Sequence, residues 1–145
     1  MSMTSETIML QERFPVEMGA FATAGEASGK IKRTLKKLGV DSAIVRRVSI
    51  AAYEVELNLV IHSLGGEMEL IVRPDFLALN VRDRGPGIPN IDLAMSEGFS
   101  TATDDVRMMG FGAGMGLPNM RRNASVFDIR SEVGVGTTIE MGFRL

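Results

Sequence analysis

The chain has 145 residues, 45% of them hydrophobic and 23% charged, with a formal net charge of −2 and no cysteine. That length suits a single domain spanning residues 1–145 and allows a proper core without staples. The charge balance excludes a global basic field for nucleic acid or an anionic membrane. The lack of cysteine excludes disulfides, thiolate metal sites and cysteine nucleophiles. No signal peptide or membrane-spanning apolar run is present, so a cytoplasmic protein is expected.

In chain order, Thr7–Phe14 alternates loosely and stops at Pro15, which predicts a first strand. Ala20–Leu38 is rich in Ala, Lys and Glu and stops at Gly39, which predicts a helix. Its Lys30, Lys32, Arg33, Lys36 and Lys37 read as a solvated basic face. Asp41 or Ser42 can cap a second helix reaching about His62. Its apolar Val45, Val48, Ala52, Val55 and Leu59 recur at three-four spacing, the mark of a buried stripe. Glu67–Val72 and Phe76–Asp83 predict two strands joined at Arg73-Pro74-Asp75.

A turn-rich loop follows at Asp83–Pro89, then a short helix at Ile91–Gly98 and a mobile loop at Phe99–Met109. Gly110–Gly116 alternates glycine with other residues and cannot form a stable helix. Leu117–Asn123 restarts one, with Pro118 suited to its first turn. Phe127–Glu132 and Thr137–Phe143 close the chain as strands around Val133–Gly136. These elements predict an α/β sandwich of two layers, with a mixed, mostly antiparallel sheet and helices on one face.

Three motifs carry candidate chemistry. Glu54, Asn58 and His62 are spaced four apart in the second helix, where each step of four turns only about 40°, so they share one stripe. Glu56, two positions on from Glu54, must point elsewhere. An amide oxygen is a hard neutral ligand suited to Mg²⁺, and a carboxylate one turn earlier can polarise a hydroxyl beside a metal-bound phosphate. His62 is the single histidine and reads as a structural residue.

The second motif, Asp83-Arg-Gly85-Pro-Gly87-Ile88-Pro89, follows a strand. Asp83 can accept from an amino group such as adenine N6, Gly85 and Gly87 leave room for a base against backbone, and Ile88 can cover the ring. The third motif, Gly110-Phe-Gly112-Ala-Gly114-Met115-Gly116, opens a helix, where unobstructed N–H groups form an anion site. It lacks the strand of a dinucleotide fingerprint and the Gly-Lys-Ser/Thr of a Walker loop. A polar helix face, a turn and a glycine linker would each account for one motif alone. Their order and flanking elements are what make the set specific.

That order resembles the GHKL ATPase superfamily of gyrase B, heat-shock chaperones and histidine kinases, whose fold is the Bergerat sandwich. Within it the chain looks most like the small bacterial serine kinases and anti-sigma factors, in particular the switch serine kinase of the stressosome. Gly98-Phe-Ser-Thr101, the glycine box to Pro118, and Gly134-Val-Gly136-Thr137 carry the likeness. The resemblance implies Glu54 as catalytic base and Asn58 as Mg²⁺ ligand. It implies that Asp83 binds the adenine amino group and that Thr137 supports the base through water. Gly85, Gly87, Gly112, Gly114 and Gly116 would line the nucleotide.

The implied function is an ATP-dependent protein serine/threonine kinase acting on a STAS-domain protein in sigma-factor control. The alternative is an anti-sigma factor that sequesters its partner. Partners would be a STAS-domain protein, a sigma factor or both, and a homodimer is compatible with the resemblance. The segment Ala102–Met109 is longer than in the switch kinase, and His62 is more typical of the anti-sigma factors. An ATP-driven clamp and a complete histidine kinase are disfavoured. The first needs a transducer domain after Leu145, and the second needs a separate phosphoacceptor helix.

Overall fold

The computed structural model describes residues 7–96 and 116–145. Five strands form one sheet: β1 (Leu10–Val16), β2 (Gly66–Val72), β3 (Phe76–Asp83), β4 (Val126–Glu132) and β5 (Gly136–Arg144). Their spatial order is β1-β2-β3-β5-β4, and every neighbouring pair is antiparallel. The mixed sheet expected from sequence is therefore fully antiparallel among the described residues. The two hairpins, β2–β3 and β4–β5, supply two of its four ladders, and β5 lies against β3. The helices are α1 (Glu26–Lys37), α2 (Ser42–His62), α3 (Ile91–Ala94) and α4 (Gly116–Asn123).

Period-two alternation sends one set of strand residues into the core. Leu70, Leu79 and Met141 sit side by side across three strands and are almost fully buried. Val48, Ala52, Val55 and Leu59 of α2 join the same core, as do Ile31 and Leu35 of α1 and Met120 of α4. Each fully buried aliphatic side chain of this kind contributes about 1.5–3 kcal/mol.

The opposite sheet face carries no described helix and is polar over much of its area, with an apolar row of Ile71, Ala78, Gly142 and Val126 towards one end. Arg13 reaches Glu69 at 3.0 Å, and Arg130 reaches Asp128 at 3.2 Å and also pairs with Glu140. These exposed pairs keep the uncovered face wet and contribute little stability.

Three elements differ from the sequence reading. The helix expected over Ile91–Gly98 ends at Ala94, with Met95 as its C-cap. β1 runs through Pro15 to Val16 rather than stopping before it. Because β1 is the edge strand, proline's missing N–H is tolerated there. The single helix expected over Ala20–Leu38 is broken into a 3-10 turn at Phe21–Thr23 and α1 from Glu26. The break falls at Gly25, whose left-handed backbone (φ 100°) interrupts the helical run.

α2 begins where expected. Asp41 caps it, its carboxylate accepting from the Ala43 N–H at 3.1 Å. Glu56 does point away from Glu54, but into protein. It is 3% exposed, and its carboxylate accepts from the backbone N–H groups of Gly25, Ala27 and Ser28. α1 has no side-chain cap of its own. Glu56 supplies one from the neighbouring helix and so sets how the two helices pack.

Among the described residues no helix is long and apolar enough to cross a membrane.

Candidate functional site

The site forms along one side of α2 and at one end of the sheet. Glu54 and Asn58 lie one turn apart on α2 and are each partly exposed. Gly116 at the head of α4 stands over both. A Cβ on Gly116 would lie 3.4 Å from Glu54 Oε2 and 3.5 Å from Asn58 Oδ1. Two side-chain oxygens therefore converge on Gly116, the first described residue of α4, and the N-terminal end of a helix favours negative charge. Asn119 joins them from the first turns of α4, its Nδ2 donating to Glu54 Oε1 at 3.3 Å. That bond occupies one carboxylate oxygen and leaves Oε2 on the Gly116 side.

The second cluster is built by strand register. Gly66 pairs with Asp83 across β2–β3, and Ser131 pairs with Thr137 across β4–β5. Thr137 follows Gly136 at the start of β5, beside the last residue of β3. Asp83 Oδ1 accepts the Thr137 N–H at 2.8 Å. The Thr137 and Ser131 hydroxyls are 2.8 Å apart, and Ser131 Oγ also accepts the Ile88 N–H at 2.7 Å.

Asp83 Oδ2 has no partner among the described residues. Burial pushes the Asp83 carboxyl above its ordinary range, opposed by the Thr137 hydrogen bond. A half-buried carboxylate with one oxygen held by Thr137 and no partner for the other among the described residues suits a ligand N–H donor.

Between the clusters lies the C-terminal end of α2. His62 is half-buried, and burial lowers its pKa below the usual histidine value. The His62 carbonyl lies near the position a Cβ on Gly85 would occupy, 3.7 Å away. From Glu54 to His62 is eight residues, about 12 Å of helix. One face of α2 thus links the carboxylate–amide pair to the Asp83 loop.

The glycines of the second motif have reasons beyond an open surface. The Gly85 Cβ direction faces the Ser63–Leu64 backbone, and its N–H donates to Val135 O at 3.2 Å. Gly87 has φ +74°, and a Cβ there would press into the Glu132–Val133 backbone. Both glycines therefore let the loop wedge between the end of α2 and the β4–β5 turn. Ile88 is half-buried against the core. Gly110, Gly112, Gly114 and Met115, with the expected loop Phe99–Met109, lie outside the described residues.

Sequence reasoning missed Asn119, Ser131 and the cap made by Glu56. Ser131 could have been found as the lone polar residue in phase with Phe127 and Ile129 on the inner side of β4. Asn119 carries no comparable signal.

Among the described residues no group of three or more acidic, histidine or cysteine side chains could cage a metal. The Asn58 amide oxygen instead fits Mg²⁺, which takes few protein ligands and keeps waters and phosphate oxygens. Asn58, with Glu54 beside it, would hold it.

Residues 43–145 match the sequence profile of the family described as histidine kinase-, DNA gyrase B-, and HSP90-like ATPase. The matched stretch contains every candidate site residue. The chain belongs to this ATPase family. It is also similar to the serine/threonine-protein kinase RsbT of Bacillus subtilis (strain 168). The two are 30% identical over 113 residues, covering 75% of this chain and 79% of RsbT. Membership in the family agrees with the two-layer arrangement of an antiparallel sheet under helices.

Proposed function

We propose that the protein is an ATP-dependent serine/threonine kinase that phosphorylates a small regulatory protein, of STAS type, in the control of a sigma factor. The observation that carries the reading is the convergence of Glu54 Oε2 and Asn58 Oδ1 beneath Gly116. The similarity to a serine/threonine kinase supports it.

In this reading Asp83 Oδ2 accepts a hydrogen from the adenine amino group, and Thr137 fixes Oδ1 so that Oδ2 keeps its aim. The head of α4 receives the phosphates. Mg²⁺, when bound, neutralises charge on the phosphate oxygens. Glu54 takes the proton of the incoming hydroxyl as that oxygen bonds to the γ-phosphorus. The bond from phosphorus to the bridging oxygen breaks and ADP leaves. Asn119 holds the Glu54 carboxylate in place through Oε1.

The test measures phosphate transfer from γ-labelled ATP to STAS-domain candidates alongside ATP affinity by calorimetry. Glu54→Gln keeps ATP affinity within a few fold and lowers transfer about 10²–10⁴-fold, the range for general-base loss. Asn58→Ala loses the Mg²⁺-dependent part of ATP binding. Normal transfer by Glu54→Gln would sink the assignment. A sigma factor retained on the protein with no STAS protein phosphorylated would favour sequestration instead.

A further inference from the structure

The outer surfaces of α1 and α2 bound a groove of about 790 Å³. Its lining includes Lys32 and Lys36 from α1, and Arg46, Ile50, Tyr53 and Glu54 from α2. The α2 residues run from Ser42 to Glu54, so the groove ends along α2 at the carboxylate assigned to the reaction. Lys32, Lys36 and Arg46 are exposed, and none forms a salt bridge among the described residues. Arg33, Lys37 and Arg47 are further cations on these two helices, which carry four acidic residues (Glu26, the capping Asp41, Glu54 and the buried Glu56) in a chain whose net charge is −2. The basic field is thus concentrated on these two helices, against the sign of the whole. Between its cations the groove is floored by Val45 and the half-buried Val40 and Ile50.

We propose that this groove docks an extended, acidic segment of the protein substrate and delivers its serine or threonine hydroxyl to Glu54. The inference rests on the kinase reading for the role of Glu54, but the docking stands on the groove and its charge. Spacing sharpens it. Arg46 and Glu54 are eight residues apart on α2, about 12 Å, which an extended segment covers in about four residues. The acidic side chains therefore belong about four positions from the hydroxyl. A nucleic-acid strand fits less well, because Glu54 would repel its phosphates and Tyr53 is the only aromatic side chain in the lining.

The test uses the full chain and a fluorescein-labelled peptide carrying three glutamates about four residues from a single serine. Fluorescence anisotropy without nucleotide reads docking. Transfer from Mg-ATP, with kcat and KM separated, reads delivery. Circular dichroism confirms that the variants fold. The double variant Lys32→Glu/Lys36→Glu is expected to weaken binding and raise KM at least about tenfold, with kcat little changed. Arg144→Glu, a single charge reversal at the C-terminal end of β5 and outside the groove lining, is expected to change either by less than about twofold.

Binding that the double variant leaves unchanged, or no binding at all, overturns the proposal. So does tighter binding of a single-stranded oligonucleotide that the double variant abolishes. Transfer with a KM insensitive to the double variant overturns docking and leaves the kinase reading intact. Charge-sensitive binding without any transfer supports docking and removes the kinase reading.

Discussion

Glu56, in the body of α2, accepts the Ser28 backbone N–H at 2.9 Å and so ties down the first turn of α1. The same carboxylate takes the N–H groups of Gly25 and Ala27, so one side chain serves three donors at a helix start. Glu56→Ala leaves those donors without a partner in a largely buried turn. Each such group costs about 1–3 kcal/mol, so the expected loss is about 3 kcal/mol or more. Glu56→Gln retains one acceptor oxygen and should lose roughly half as much. Urea unfolding of the two variants checks this. Equal and small losses would mean that α1 is held by packing alone.

Asp83 should oppose folding and favour binding. Its carboxyl is raised above the ordinary 3.8, so the folded protein holds the proton more tightly than the unfolded chain. Its contribution to stability is therefore greatest below that ordinary value and is lost as pH rises through the folded value. Asp83→Asn keeps an acceptor for Thr137 and removes the charge. Its melting temperature at neutral pH is expected to be unchanged or higher, while ATP affinity falls at least about tenfold through loss of a charge-assisted bond. Thermal melts and calorimetry on the same preparation decide it. Unchanged ATP affinity would remove Asp83 from the site.

The single histidine gives the protein an acid limit. Burial lowers the His62 pKa from 6.5, so the unfolded chain takes up the proton first as pH falls. The stability associated with neutral His62 is complete above about 6.5 and is lost as pH drops through the folded value. The urea midpoint should therefore fall between about pH 7.5 and about pH 5.5, and His62→Gln should flatten that slope. A variant with the parental slope would place the titration elsewhere.

Much of this was legible in the sequence, and the rest was hidden for definable reasons. α2 announced itself through Asp41 and its three-four apolar stripe, and the structure returns both. The strand ends at Asp83 and Thr137 were visible from alternation. Their hydrogen bond was not, because it depends on β5 lying beside β3 rather than only beside β4.

Glu56 was read only as pointing away from Glu54. Helical periodicity fixes direction, not what waits there. A usable clue was Gly25, which cannot cap α1 with a side chain and so leaves open where those N–H groups go. Gly85 and Gly87 were read as room for a base. Their missing Cβ atoms also accommodate the Ser63–Leu64 and Glu132–Val133 backbones, contacts that only tertiary packing reveals.

Gly116 and Gly136 divide folding from function. A Cβ on Gly136 would collide with the Asp83 carbonyl oxygen, so Gly136→Ala should cost about 2–4 kcal/mol and reduce ATP binding with it. Among the described residues a Cβ on Gly116 meets only ordinary contacts, with Glu54 Oε2, Asn58 Oδ1 and the end of Met120. Alanine also suits a helix better than glycine. Gly116→Ala should therefore melt no lower than the parent, yet lose about tenfold in phosphate transfer by occupying space beside the two oxygens. Denaturant titration and transfer assays on both variants check the pair, and full activity in Gly116→Ala would clear that space of any role. A mutational screen scored on abundance would pass alanine at 116 and discard it at 136. Scored on turnover, it would discard both. Position 116 is thus one where selection for the reaction leaves a trace that selection for the fold does not.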